Sequence, residues 1–175
     1  MKAWRKKRLP AEVVLVKNIR VSDVEDEKYM RMALEQAALA AEGGDVPVGA
    51  VVVCGDKVVA RARNEREKRR SPVAHAEIIA LEKAAKKRGT WRLSECTIYV
   101  TKEPCPMCAG AIFQARIKRL VFGATDLKGG AAGSLYNIVN DRRLNHQSEI
   151  TAGVLENESA VMLREFFKIR REKRP

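Results

Sequence analysis

Histidine is the scarcest of the potential metal ligands in this chain, with two among 175 residues, His75 and His146. Cysteine is almost as sparse at four, and aromatic residues make up only 5%. No run of eighteen apolar residues occurs, which excludes a transmembrane helix. The N-terminal MKAWRKKRLPAEVVLVKN is basic, but its apolar stretch VVLV is too short for a signal-peptide core, and Glu12 and Lys17 flank it closely. A secretory signal is therefore not expected, and the chain reads as cytoplasmic. Without export, and with so few cysteines, a disulfide framework is not expected either; the cysteines read as thiols or metal ligands. The Gly-rich stretch LKGGAAGSLYN has no GK[ST] at its end, so it is not a phosphate loop. No internal repeat is visible.

What the chain does contain is enough for one folded domain. With 46% hydrophobic and 32% charged residues it can bury a real core. Residues 1–21 read as a basic N-terminal extension and 22–175 as a single domain ending in a basic helix. Its net charge is +12. A lysine-rich face is ordinarily just solvated, but here the basic residues are concentrated in RARNEREKRR (61–70), KKRGTWR (86–92) and FFKIRREKRP (166–175). Such clusters favour a polyanionic partner through counterion release. The basic tail lacks a long apolar face, so nucleic acid is favoured over a membrane.

Helical and strand periods interleave along the chain. SDVE (22–25) has the form of a capping box ahead of an apolar-periodic helix that should end at Gly43-Gly44. VPVGAVVV, the turn CGDK and KVVARARN read as a hairpin. Ser71-Pro72 is expected to open a second helix running to about Lys87, with Pro72 in its first turn. A strand follows at TIYV (97–100), then a helix from about Cys105 to Arg116, a strand LVFGA (120–124), a possible strand EITAGVL (149–155) and a final amphipathic helix. This order predicts an α/β fold, a three-layer α/β/α sandwich around a mixed sheet.

The chemistry concentrates in EPCPMCAG (103–110), where Cys105 and Cys108 are separated by two residues. Three readings compete: two buried small hydrophobes, a thioredoxin-like redox pair, or part of a zinc site. Cys105 sits at an expected N-cap with Pro106 at the first helical position, so both sulfurs lie near a helix N-terminus that favours thiolates. Two thiolates do not complete a zinc shell, and three protein ligands plus water is the catalytic pattern. His75, in PVAHAEIIAL, lies near the start of a helix with Glu77 two places on; Glu77 is placed to act as a base toward a metal-bound water. His146 has no such neighbour and reads as structural or substrate-adjacent. Cys54 and Cys96 read as packing. Residues two apart on a helix point to different sides, a difficulty that eases in the first turn, where side chains can converge beyond the helix end.

HAE (75–77) with PCPMC (104–108) matches the signature of the zinc nucleobase deaminases. PVGAVVV, RN (63–64), TIYVTKEPC, MCAGAI, ARIKRLVFGATD, GGAAGSLYN and FFKIRR extend the match, and the chain resembles the bacterial tRNA-specific adenosine deaminases (TadA) from about Val24 to Lys173. The resemblance implies a cytidine deaminase-like fold with a central five-stranded sheet. It also implies one zinc per subunit on His75, Cys105 and Cys108, and attack of zinc-bound hydroxide on adenine C6 with Glu77 as proton shuttle. The target would be the wobble adenosine in the anticodon stem-loop of tRNA-Arg. Asn64, Pro47, Val48, Ala76 and Pro104 would bind the nucleoside. Asp126, Lys128, Phe167, Arg170 and Arg171 would meet the tRNA, and the family works as a homodimer. Lys-Gly-Gly at 128–130 falls where the family varies. A zinc deaminase of free guanine or cytosine, in base or nucleoside form, is the alternative; a non-catalytic zinc module or inactive heterodimer partner leaves Glu77 without a role.

Overall fold

The β-branched run after Pro47 becomes β1 (Gly49–Cys54), turns at Gly55 and returns as β2 (Lys57–Arg63), the hairpin expected from its turn chemistry. In the computed structural model, which describes residues 24–172, β3 (Cys96–Lys102), β4 (Arg119–Ala124) and β5 (Glu149–Ala152) complete a sheet of order β2-β1-β3-β4-β5. β1 is antiparallel to β2 and β3, whereas β3, β4 and β5 run parallel. The expected extension 1–21 and Ser22 of the capping box lie outside the described residues.

Alternation along the strands sorts two cores. Ala50, Val52, Ile98, Val100, Leu120 and Phe122 face the side covered by α3 (Ala76–Arg88) and α4 (Pro106–Gln114). Val51, Val53, Tyr99 and Val121 face α1 (Val24–Glu42), and α5 (Glu156–Glu172) lies on β4 and β3 beside it. The result is the three-layer α/β/α sandwich with a mixed five-stranded sheet. No helix among the described residues is long and apolar enough to cross a membrane.

The alanine stripe Ala33, Ala37 and Ala40 lets α1 settle directly on strand backbone. At Gly49 the fit is tightest: a Cβ there would lie 1.9 Å from the carbonyl oxygen of Ala33 and 2.7 Å from the amide nitrogen of Ala37. The sheet's two edges are closed in different ways. β5 is four residues long, and along β2 the Lys83 ammonium donates to the Arg61 carbonyl at 3.1 Å and that of Lys87 to the Val58 carbonyl at 3.5 Å.

Two local expectations are corrected. The second helix does not open at Ser71-Pro72. Residues 71–75 form turns, with the Ala74 and His75 amides donating to the Ser71 and Val73 carbonyls, and α3 begins at Ala76 with His75 as its extended N-cap. An additional short helix, α2 (Arg66–Arg69), precedes this turn. Its free amides are met from a distance: Glu67 N and Lys68 N donate to the Asp45 carboxylate at 2.8 and 3.2 Å.

The second correction concerns Cys54 and Cys96, which are neither packing thiols nor metal ligands but a disulfide. They face each other directly in the β1–β3 register with Cα atoms 4.2 Å apart. The backbone of Cys96 bonds elsewhere, its amide to Leu93 and its carbonyl to Lys118, as at a non-hydrogen-bonded antiparallel pair, where side chains approach closest. The bond closes a loop of sequence separation 42, which corresponds to about 4 kcal/mol of unfolded-state entropy. Reduction, or Cys54→Ser, is therefore expected to lower the melting temperature by about 10 °C. Equal melting with and without reductant, alongside two titratable thiols at these positions, would disprove the contribution.

Candidate metal centre and its cavity

Both halves of the centre are helix N-caps. Cys105 is extended, with φ −72° and ψ 170°, and Pro106 fills the first position of α4. His75 is extended too, with φ −75° and ψ 152°, so its side chain is not bound to the helical spacing that separates residues two apart. It turns toward the sulfurs while Glu77 enters from the first turn of α3. His75 Nδ1 lies 3.7 Å from Cys105 Sγ and 3.5 Å from Cys108 Sγ.

These spacings allow a test of fit. A tetrahedral ion with metal–sulfur bonds of about 2.3 Å and metal–nitrogen bonds of about 2.0–2.1 Å separates its sulfur and nitrogen ligands by about 3.5 Å. The three ligand atoms lie within 4.8 Å of one another, and the donor set of two sulfurs and an imidazole suits zinc. Among the described residues they form the one such cluster found. Without metal, the Cys108 thiol donates to Cys105 and, with His75 beside it, draws the Cys105 pKa down to about 3. Holding that proton pushes the pKa of Cys108 up, and burial adds to the effect. The contact with Cys105 raises His75 against the opposing influence of burial.

Glu77 is 4% exposed, and burial raises its pKa despite the neighbouring His75. It lies on the floor of a cavity of about 220 Å³ with His75 and Cys105. Val46 and Val48 form one apolar part of the wall, and Leu163 and Phe167 from α5 form another. Asn64, Arg66, Lys102 and Glu103 add polar and charged groups to the lining. Asn64 is buried, its amide side chain 3.5 Å from Asp45.

Not every expected substrate residue lines this space. Pro47, Ala76 and Pro104 are buried and are not among its lining residues, and the Pro104 carbonyl accepts a hydrogen bond from Ala131 N at 2.8 Å. Asp126 accepts from the Lys102 ammonium and from Lys128 N, so its carboxylate is engaged within the protein; partial burial works to raise its pKa, but the Lys102 ammonium and the Lys128 and Gly129 amides together lower it. Arg170 reaches Glu67 at 3.3 Å and stacks over Phe166, while Arg171 is exposed. Phe166 turns into a separate groove between α1 and α5, leaving Phe167 at the cavity. His146 is structural, its Nε2 donating to the Ile117 carbonyl at 2.8 Å.

Glu103 escaped the sequence reading although it immediately precedes the Pro-Cys pair. It is 2% exposed and accepts from Asp126 N, Ala132 N, Ser134 N and the Ser134 hydroxyl. Gly130 approaches it so closely that a Cβ would lie 2.3 Å from the carboxylate. This carboxylate fixes the 126–134 loop against the strand that delivers Cys105.

Comparison with known proteins agrees with this arrangement. A family model described as MafB19-like deaminase matches residues 24–171. The chain is 49% identical over 150 residues to the tRNA-specific adenosine deaminase of Bacillus subtilis (strain 168), covering 86% of this chain and 93% of that one. It is also 49% identical over 150 residues to that of Haemophilus influenzae, covering 85% and 87%. A structure solved in a study of A-to-I editing by tRNA:A34 deaminases superposes with a TM-score of 0.75 at 41% identity, over 78% of this chain and 99% of the other. A guanine deaminase from Bacillus subtilis aligns over 57% of this chain and 64% of its own, with a TM-score of 0.54 and 37% identity.

Proposed function

The chain belongs to the tRNA-specific adenosine deaminases, and on that premise we propose that it converts adenosine to inosine at the anticodon wobble position of tRNA-Arg, using zinc held by His75, Cys105 and Cys108, one ion per subunit. The observation that carries this reading is the convergence of those three ligand atoms at a cavity that His75, Cys105 and buried Glu77 line. Zinc bound there supplies the Lewis acidity that brings the pKa of a water toward neutrality.

The chain's own residues supply the rest. Burial raises the proton affinity of Glu77, which suits it to take the proton of the attacking water as its oxygen adds to adenine C6. Glu77 then delivers that proton to the ring nitrogen and assists the departure of ammonia, so water and adenosine give inosine and ammonia. Val46 and Val48 on one side and Leu163 and Phe167 on the other hold an apolar, planar base, and Asn64 meets the polar part of the nucleoside. Pro47, Ala76 and Pro104, each next in sequence to lining residues, support that wall.

An anticodon loop presents unpaired bases, so no duplex must be opened. The basic run at 61–70, of which Arg66 lines the cavity, and the C-terminal helix, of which Phe167 lines it and which carries Arg170 and Arg171, suit the flanking nucleotides. Asp126 accepts from Lys128 N within the loop that Glu103 gathers, and the pair suits the anticodon-loop backbone. A groove between α3 and α4, lined by Ile78, Leu81, Trp91 and Leu93, leaves Trp91 57% exposed and supports assembly as a homodimer. The setting for this work is the cytoplasm, where tRNA is processed.

Incubating the purified protein with total tRNA and reading inosine by sequencing tests substrate and position together. Inosine at the wobble position of tRNA-Arg is expected. Ammonia release from free guanine or cytosine, with no inosine in any tRNA, would overturn the reading in favour of a free-base or nucleoside deaminase.

A further inference from the structure

We propose that Lys102 is the residue that grips the phosphate adjoining the target nucleoside, and that Asp126 is the residue that aims it. The proposal rests on the nucleotide-in-RNA reading above and adds a residue that neither the metal chemistry nor the base pocket requires. Lys102 ends β3, paired with Ala124 of β4, and its side chain reaches the wall of the catalytic cavity. It is 28% exposed there, neither buried in the core nor free in solvent.

Its neighbours decide what it can do. Glu103, the adjacent carboxylate, is saturated by three backbone amides and a hydroxyl of the 126–134 loop and does not compete for the ammonium. Asp126 accepts from Lys102 while its other oxygen takes Lys128 N at 3.0 Å. The carboxylate is thereby fixed by the loop and in turn fixes the ammonium. An ammonium has three N–H donors and Asp126 occupies one, leaving donors for a ligand beside the base. Val46, Val48, Leu163 and Phe167 supply the apolar wall for a base, Arg66 is the other cation of the lining and belongs to the short α2, and Glu77 is buried. An anionic oxygen next to a planar base is the chemistry of a phosphate ester, whether the diester of an RNA chain or the monoester of a free nucleotide.

The test uses the zinc-loaded protein with an anticodon-arm RNA hairpin, in wild-type, Lys102→Leu and Lys102→Arg forms. Lys102→Leu is expected to raise KM about tenfold with kcat within about twofold. Loss of one phosphate contact should also reduce the slope of log KM against log salt by about 0.7. Lys102→Arg should recover most of the affinity. A neutral methylphosphonate placed at one linkage flanking the target should cost the wild type the same factor and cost Lys102→Leu nothing further. A second arm compares adenosine with adenosine 5′-monophosphate: a Lys102-dependent preference for the nucleotide, without effect on RNA, identifies the monoester as the source. Unchanged KM and salt slope in Lys102→Leu, or a methylphosphonate penalty that persists in full in that variant, overturns the proposal. Failure of the tRNA reading is separate, since the wild type would then form no inosine in any RNA; the monophosphate arm would still decide the role of Lys102.

Discussion

Replacing Glu77 by Gln is expected to leave a folded protein that binds one zinc per chain yet forms inosine at least about 10³-fold more slowly. The amide fills the same volume on the cavity floor, so neither the positions of His75, Cys105 and Cys108 nor the apolar walls need change. It cannot accept the water's proton or return it to the ring. Because the same carboxyl serves both transfers, its loss should fall at the upper end of the usual range for a general acid–base group. Metal content by atomic absorption and single-turnover inosine formation provide the two readouts. Activity above a tenth of wild type would eliminate the proton-shuttle role. Loss of zinc together with activity would instead make Glu77 part of the coordination shell.

Gly49→Val is expected to be the most damaging single change in the fold, at about 4 kcal/mol or more. Even the first carbon of the new side chain would lie 1.9 Å from the Ala33 carbonyl oxygen and 2.7 Å from the Ala37 amide nitrogen. Both are backbone atoms of a regular helix and cannot rotate away, so α1 would have to lift from the sheet and expose its own Met30 and Tyr29, which are buried. Gly110→Ala is the matching control. It lies in α4 with nothing within 4 Å of an added Cβ, and gains up to about 1 kcal/mol of helix propensity. Comparable melting temperatures for the two variants would show that the α1–β1 contact does not limit stability.

How much of this was legible in the sequence depended on how local each determinant is. Cys105, Pro106 and the CxxC spacing specify their own N-cap, and α4 begins at Pro106 with Cys105 capping it. The His75–Glu77 pair was recognisable for the same reason. The start of α3 was missed because Ser71-Pro72 resembles a helix opening, whereas the turn that follows sets His75 outside the helix and frees its side chain. The Cys54–Cys96 bond required the β1–β3 register, which no single segment contains. Asp45 capping α2 from twenty-two residues away, and Glu103 gathering a loop that begins at Asp126, are likewise long-range hydrogen bonds. In each case the residue's type was visible while its partner was not.

The lysines along β2 have a meaning outside catalysis. By donating to the Val58 and Arg61 carbonyls, Lys87 and Lys83 occupy acceptors that a foreign strand would otherwise use for docking, and they surround the edge with like charge. Part of the positive charge that draws a polyanion to this chain therefore also keeps one copy's sheet from extending into another's. Replacing both side chains, as Lys83→Gln with Lys87→Gln, should turn the chain toward fibrous self-association, read by light scattering, without touching the catalytic pocket.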